Sequence, residues 1–368
     1  MHGKCRCDFL FLFLFSSSFA STISAQQQVP VALPAPTGSE QRVPTASPDS
    51  LAGQVVFDVV VTDKSGKVIT GLTQQDFTIL DNGQPAKVLS MRAQSGANAE
   101  IHGTEVIVVI DELNCLFETV LLERKQVQDL LAQSGGELPF PVSLAFLTEH
   151  GIETQTHPSR DGNALIAALS QRKLPPPRVD TFEGAAADDR LRTSLDALTA
   201  FAIQEQGTPW KKMVLWISPG WPTMMNMVYS LGSKDSERVF HSVVKYSTAL
   251  RRARITLYSI DPLGAAGAGT NRSSHYEQYV KGLTSPDRAE LPYMALQTLA
   301  AQSGGLAVYG NNTIVNLINR CTPDLGGFYT LSIEPRRLDH VDEFHSIEIK
   351  LGTPGLKART RNGYYAEP

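Results

Sequence analysis

The chain has 368 residues, of which 42% are hydrophobic and 19% are charged, a composition typical of a globular protein with its own core. This length allows two domains of ordinary size. The formal net charge is −4 at pH 7, so the chain has no basic field to attract phosphate groups, and we expect no nucleic-acid partner.

The amino-terminal segment 1–25 has the layout of a secretory signal peptide. Two basic residues precede the apolar run Phe9–Phe15, and small residues follow as far as Ala25. This order predicts export, either to the periplasm or out of the cell, with cleavage after Ala25 or Ala20. The apolar run is shorter than a bilayer span, and no later segment is long and apolar enough, so we expect no membrane span after signal removal.

The next two segments differ in composition. Residues 26–53 are rich in Gln, Pro, Ala, Ser and Thr, which predicts a disordered linker. Residues 54–95 predict short strands, beginning with the alternating stretch Val55–Val61. The triplet Asp-Asn-Gly at Asp81–Gly83 is a strong hairpin signal.

From residue 104 to residue 322 predicted strands alternate with predicted helices. This alternation is typical of an α/β domain with a doubly wound, largely parallel sheet. In chain order the predicted elements are strand Val106–Ile110, helix Phe117–Ala132, strands Val142–Leu147 and Ile152–Thr156, helix Ala164–Leu169 with Asp161 as its cap, a helix through Leu191–Ala202, strand Met213–Ile217, a helix through Val239–Leu250, strand Ile255–Ile260, helix Met294–Ala301, strand Leu306–Tyr309 and helix Ile314–Arg320.

The segment 326–366 returns to the pattern of short strands. Its stretches FYTLSIEP, FHSIEIKLG and LKARTRNGYY alternate apolar and polar residues and are separated by turn residues. Neither this segment nor residues 54–95 has enough strands to bury its own apolar face. We therefore expect one β-sandwich that is built from both ends of the chain, with the α/β domain inserted between them.

Four stretches together carry a resemblance to a known family. They are VVVTDKSGKVITGLTQQDFTILDNG, VIVVIDELNC, KKMVLWISPGWP and FHSIEIKLGTPGLKARTRNGYY. On these stretches, residues 54–366 resemble the von Willebrand factor A-related domain proteins of the acidobacterial type. The resemblance implies a Rossmann-like A domain that binds a protein or another extracytoplasmic macromolecule and catalyses no reaction.

Such A domains often carry a metal-ion-dependent adhesion site with the first loop Asp-x-Ser-x-Ser. Here Asp111 matches, but Leu113 has no oxygen to donate and Cys115 offers a soft sulfur. Mg²⁺ requires near-octahedral oxygen ligands, and the later strand end at Ser218 has no aspartate. We therefore expect a degenerate site and no cofactor, with Asp111 as the only weak candidate for binding Mg²⁺.

Asp111 has two interpretations, of which we favour the first. In the first, its carboxylate accepts backbone N–H groups at the strand end and shapes the loop. In the second, Glu112 and Asn114 serve as substitute oxygen ligands beside it. Strand parity points both side chains away from Asp111, although the loop can break that parity.

The expected partner surface lies at the carboxyl edge of the sheet, where the strand order reverses. The resemblance to A domains implies that Val106–Ile110 and Met213–Ile217 flank this point. We expect the partner surface to include Asp111, Glu112, Asn114, Ser218, Trp221, Met224 and Met225. Trp and Met suit an adaptable interface, and the hypothesis requires Trp221, Met224 and Met225 to be partly exposed. In the alternative, these large residues cap the sheet edge beneath another loop.

Catalysis is not expected. Ser218 follows a buried strand but lacks the Gly-x-Ser-x-Gly elbow, and His340 and His345 lie in what the sequence predicts to be a solvated hairpin. The alternative function is a secreted hydrolase with an unrecognised site near Asp111 and Ser218, which requires a histidine or a second carboxylate beside one of them.

Overall fold

The computed structural model describes residues 53–95, 104–154, 157–176, 185–222, 231–263, 276–311, 313–336 and 340–367. These residues belong to one compact unit and form three β-sheets with flanking helices. The predicted signal peptide and all but the last residue of the predicted linker lie outside the described residues.

The secondary structure follows the order of the sequence pattern. The strands are β1 (Val55–Thr62), β2 (Phe77–Asp81), β3 (Gln84–Pro85), β4 (Val88–Ser95), β5 (Thr104–Asp111), β6 (Glu137–Thr148), β7 (Gly151–Thr154), β8 (Ser159–Asp161), β9 (Lys211–Ile217), β10 (Ile255–Ile260), β11 (Ala307–Val308), β12 (Gly327–Ile333), β13 (Phe344–Leu351), β14 (Lys357–Arg359) and β15 (Gly363–Tyr365). The helices are α1 (Phe117–Leu131), α2 (Gly162–Gln171), α3 (Ala185–Glu205), α4 (Ser233–Arg252), α5 (Leu296–Gln302) and α6 (Ile314–Asn319).

A mainly parallel sheet of seven strands lies at the centre, in the order β11-β10-β9-β5-β6-β7, with β8 paired to β6. Strand β5 is parallel to both β6 and β9, whereas β7 and β8 are antiparallel to β6. After β5 the chain forms β6 on one side of β5, and it later forms β9 on the other side. The strand order therefore reverses between β5 and β9, as the resemblance to A domains implies, and their carboxyl ends meet at one edge.

Helices cover both faces of this sheet. Ile107 and Val109 of β5 belong to a buried cluster with α3 and α4, whereas Val106 and Val108 belong to a second cluster with α1 and α2. Because side chains alternate along a strand, a strand that is covered on both faces must be apolar throughout. This requirement explains the uninterrupted apolar run before Asp111.

Several element boundaries follow from local chemistry. The Asp161 side chain accepts a hydrogen bond from the backbone N–H of Ala164 at 3.0 Å, so it is the predicted cap of α2. Helix α5 begins at Leu296 rather than at the predicted Met294. The cause is a 3₁₀ turn at Leu291–Met294 that has a proline in its first two positions.

Strands from both ends of the chain pair with one another, as the sequence predicts. The sheet orders are β14-β1-β12-β4 and β15-β13-β2-β3. In the first sheet β1 is antiparallel to β12, and in the second β2 is antiparallel to β13. Both sheets contribute to one buried cluster, which includes Phe57, Ile79 and Leu331. We call these two sheets together the two-sheet unit.

The turn between β2 and β3 lies at the predicted Asp-Asn-Gly triplet. Asn82 and Gly83 both have positive φ angles, 49° and 76°. Two consecutive residues in this left-handed region define the hairpin turn whose twist matches that of the flanking strands. Asn82 also accepts a hydrogen bond from the backbone N–H of Ser346 at 2.9 Å, which ties the turn to β13.

The predicted solvated hairpin around His340 and His345 is wrong for His345. This residue lies in β13 and is only 3% exposed. Its Nδ1 lies 2.8 Å from Oδ1 of Asp81, and the hydroxyl of Tyr364 donates to Oδ2 of Asp81 at 2.7 Å. The polar ring can be buried because a buried carboxylate from β2 is its partner.

Two further features concern the cysteines and the helices. Cys115 and Cys321 are both buried and both carry free thiols. Within the described ranges, no helix is both long and apolar enough to cross a membrane.

Candidate functional site

The loop after β5 is organised around the carboxylate of Asp111. Its Oδ1 accepts hydrogen bonds from the backbone N–H groups of Leu113 at 3.1 Å and Asn114 at 2.8 Å. This is the geometry of a side chain that folds the following turn onto itself. The prediction that Asp111 shapes the loop is therefore confirmed.

Side chains from two other elements hold the same carboxylate. The Asn114 amide donates to Oδ2 of Asp111 at 3.0 Å, and also to the hydroxyl of Ser194 on α3 at 2.9 Å. The indole N–H of Trp216, in β9, donates to Oδ2 at 3.4 Å. These contacts connect the ends of β5 and β9 to α3, and they direct the amide nitrogen of Asn114, not its oxygen, toward Asp111.

Burial dominates the protonation of Asp111. The side chain is 0% exposed, and this burial raises its pKa above the ordinary value, although hydrogen bonds from Asn114, Ser218 and Trp216 oppose the shift. A carboxylate that is surrounded in this way has few free lone pairs for a cation.

Glu112 is engaged elsewhere. Both of its carboxylate oxygens accept hydrogen bonds from Arg172, at 3.1 and 2.8 Å, and Arg172 also contacts Glu153 at 2.7 Å. This bidentate pairing holds the Glu112 side chain on the α2 side of the loop. The geometry does not bring it to Asp111 as a substitute ligand.

Two carboxylates that the sequence analysis missed lie near this loop. Glu123, on α1, is fully buried, and its Oε1 accepts a hydrogen bond from the thiol of Cys115 at 3.1 Å. Burial raises the pKa of Glu123 well above its ordinary value, and the negative charges of Asp111, Glu112 and Asp261 raise it further. Asp261 directly follows β10, as Asp111 follows β5, so the same pattern could have identified it. No pattern singles out Glu123.

These acidic groups do not form a recognisable metal centre. Over the described part of the chain, no group of three or more His, Cys, Asp or Glu side chains has an arrangement that could hold a metal ion. The Oδ1 atom of Asn114 and the Oε2 atom of Glu123 are buried and have no hydrogen-bond partner among the described residues.

Ser218 lies at the end of β9 and is fully buried. Its hydroxyl accepts a hydrogen bond from the backbone N–H of Gly220 at 3.1 Å. Among the described histidines, none makes a hydrogen bond or an ion pair with Ser218 or Asp111. Ser218 therefore stabilises the local turn. Because it is buried, a substrate cannot reach its hydroxyl in this conformation.

The expected exposure of Trp221 is wrong. This side chain is only 4% exposed and belongs to the cluster beneath α3 and α4. It packs edge-on against Trp216, with 5.5 Å between ring centroids. The cause is the turn at Gly220, whose φ of 103° directs the chain back over the sheet. Met224 and Met225 lie outside the described residues.

An exposed apolar patch instead adjoins the Asp111 loop. Leu116, the N-cap residue of α1, is 48% exposed, and Leu121 is 40% exposed. Half-buried Phe117 lies one helical turn before Leu121, on the same face of α1. We call Leu116, Phe117 and Leu121 the edge patch. It lies at the carboxyl edge because α1 starts there.

Comparison with known proteins gives no family. No protein-family model and no curated protein matches the chain. Among solved structures, it is similar to an aerotolerance-related membrane protein from Bacteroides fragilis, at 14% identity over 61% of this chain and 98% of that chain, with a TM-score of 0.34.

Two surface proteins give comparable values. One is a mutant of the PilB minor pilin from Streptococcus sanguinis, at 12% identity over 76% of this chain and 80% of that chain, with a TM-score of 0.34. The other is the pilus adhesin SpaC from Lactobacillus rhamnosus GG, at 10% identity over 81% of this chain and 49% of that chain, with a TM-score of 0.35. Similarity at scores this low assigns no function to this chain.

Proposed function

We propose that the chain is an exported protein-binding module, of the adhesion or scaffold type, that acts without catalysis and without a metal. Its domains would be the signal peptide 1–25, the linker 26–53, an A-like domain over 104–322 and a β-sandwich from residues 54–95 and 326–366. The partner would be a protein or another extracytoplasmic macromolecule.

The edge patch is the observation that carries this proposal. Leu116 is 48% exposed at the point where strand order reverses, which is the usual ligand edge of such a sheet. Large apolar side chains that remain in water at a binding edge are typical of interaction surfaces. The loop would be held in place on its buried side by Asp111, Asn114 and Ser218. Trp221 would support the loop as part of the hydrophobic core.

The hydrogen bonds of Asp111 favour binding without a metal. Its Oδ1 already accepts two backbone N–H groups, and its Oδ2 accepts from Asn114 and Trp216. A cation would have to displace these donors, and the side chains of Leu113 and Cys115 offer no oxygen in exchange. Partner binding is therefore expected to survive chelation of Mg²⁺ and Ca²⁺.

The test is position-specific photo-crosslinking in the cells that produce the protein. A photoreactive residue at Leu116 should give a discrete protein adduct, identified by mass spectrometry, whose yield is the same with and without a chelator. Ile203, 57% exposed on α3, is the matched control because it lies near the opposite end of the sheet. Equal adducts from both positions, or none from Leu116, would contradict the proposal.

The alternative, a secreted hydrolase, has its own test. Labelling of the intact protein with a fluorophosphonate probe should be absent, because Ser218 is fully buried and bonded to the turn. Stoichiometric labelling of Ser218 that is lost in Ser218→Ala would favour the hydrolase and overturn the assignment of a non-catalytic module.

A further inference from the structure

A small polar cavity lies where the two-sheet unit meets the α/β part. Its volume is about 10 Å³, and the residues around it include Asp58 of β1, Arg251 and Arg254 at the end of α4, and Arg361 between β14 and β15. Polar surface predominates in its lining. A cavity of this size has room for one particle about as large as a water molecule.

Three arginines line this cavity, and two of them have carboxylate partners. Arg254 pairs with Asp58 at 2.6 Å, and Arg251 pairs with Glu367 at 2.6 Å. The Nε–H groups of Arg251 and Arg254 remain buried without an acceptor among the described residues. The two carboxylates therefore neutralise two of the three guanidinium charges, and the two Nε–H donors remain unsatisfied.

Arg361 is the arginine of the three that has no carboxylate partner among the described residues. It is only 7% exposed, and it makes no hydrogen bond or ion pair with any other described residue. Burial lowers the pKa of Arg361 to about 9, and repulsion from Arg251 adds to this effect, while Asp58 opposes it. Arg361 thus stays charged near neutral pH, and a buried guanidinium without a counter-charge costs several kcal/mol.

Asp58 does not supply the missing charge. Its Oδ1 already accepts hydrogen bonds from Arg254 at 2.6 Å and Thr330 at 2.8 Å. Burial would raise the pKa of Asp58, but the charges of Arg254 and Lys211 outweigh burial and lower it. Asp58 is therefore shared between Arg254 and the buried Lys211, which Asp324 also attracts while Arg359 and Arg254 repel it, and a net positive charge remains beside Arg361.

We propose that this cavity binds a monovalent inorganic anion of halide size, with chloride as its natural occupant. The anion would accept hydrogen bonds from Arg361 and from the free Nε–H groups of Arg251 and Arg254. A water molecule fits the space but supplies no charge, and sulfate or phosphate is too large. The site would join β1, β10 and the segment before β15, so it would stabilise the contact between the two-sheet unit and the α/β part.

The first test is ³⁵Cl NMR relaxation on the intact protein. Wild type should show saturable broadening of the chloride line that bromide displaces. Arg361→Gln should weaken chloride binding at least about tenfold, because a charged donor is lost. Arg238→Gln is the matched control, since it removes the same charge from an exposed arginine that lies on α4 and pairs with Asp235. Equal broadening in wild type and Arg361→Gln would overturn the proposal.

The second test needs no variant. Wild-type crystals soaked in sodium bromide should show an anomalous peak in contact with the Arg361 guanidinium. In parallel, the melting temperature should rise with chloride at fixed ionic strength, with a bulky organic sulfonate as the replacement anion. A cavity without bromide in wild-type crystals would overturn the proposal even if Arg361→Gln failed to fold.

Discussion

Two buried carboxylates near the carboxyl edge differ in how they are stabilised. Asp111 accepts hydrogen bonds from two backbone N–H groups, Asn114 and Trp216, and such donors favour the charged form. Among the described residues, Glu123 accepts only from the Cys115 thiol, a weak donor. Of these two carboxylates, Glu123 is therefore the one whose charge is less well stabilised in the folded state.

This difference predicts a pH-dependent effect of Glu123→Gln. The pKa of Glu123 is raised in the folded state, so above the ordinary value of 4.5 the folded chain binds more protons than the unfolded chain. Its contribution to the free energy of unfolding then falls as pH rises, by up to about 1.4 kcal/mol per pH unit. Glutamine does not titrate and still accepts from Cys115. The variant should therefore gain stability relative to wild type between pH 5 and pH 7.

Urea unfolding at both pH values measures this gain. Glu118→Gln is the control, because Glu118 is exposed on the same helix and should not change the pH dependence. If Glu123→Gln and wild type show parallel pH profiles, Glu123 is ionised in the folded chain and burial does not raise its pKa.

For single residues, the sequence predicted the role of Asp111 but not the burial of Trp221. A carboxylate directly after a buried strand has backbone N–H groups within reach, so its role follows from position alone. The direction of Trp221 depends on the positive φ of Gly220, and composition does not reveal that angle. Asp261 could have been found by the rule that identified Asp111, whereas Glu123 required knowledge of which face of α1 is buried.

Among the elements, period-two alternation identified most strands, including β13, but it did not reveal that His345 in β13 is buried. His345 was assigned to solvent because its neighbours are polar and turn-like. Its partner Asp81 lies 264 positions away in sequence, so no local window can show that a carboxylate will face the ring. The contact exists only because β2 pairs with β13.

The buried His345–Asp81–Tyr364 network predicts a large loss for His345→Ala. The variant would leave Asp81 buried with only the Tyr364 hydroxyl as a side-chain partner among the described residues, and breaking a buried pair of this kind costs about 3 kcal/mol. The free energy of unfolding, measured by urea titration, should fall by that amount. His340→Ala, at an exposed histidine five residues earlier, should change it by less than about 0.5 kcal/mol. Equal effects would mean that His345 contributes no net stability through Asp81.

For the whole molecule, the pairing of the two chain ends was predictable from the sequence, whereas the order of the strands in each sheet was not. Counting strands shows that neither end can bury an apolar face alone. Which strands become neighbours depends on side-chain packing between segments that are far apart in sequence. Strand β1, for example, lies between β12 and β14, so an amino-terminal strand is central in a sheet that is completed by the last part of the chain.

This arrangement predicts that β1 and β12 lose protection together. Leu331 of β12 is 0% exposed in the core of the two-sheet unit, and Leu331→Ala should cost about 3 kcal/mol through the cavity it leaves. Because β1 forms its backbone hydrogen bonds with β12 and β14, it cannot stay folded when they open. Native-state hydrogen exchange should therefore show equal losses of protection in Val55–Thr62 and Gly327–Ile333. Leu89→Ala, at a 38% exposed residue of the same sheet, should change neither strand. Faster exchange in β12 with unchanged protection in β1 would show that the two chain ends do not form one cooperative unit.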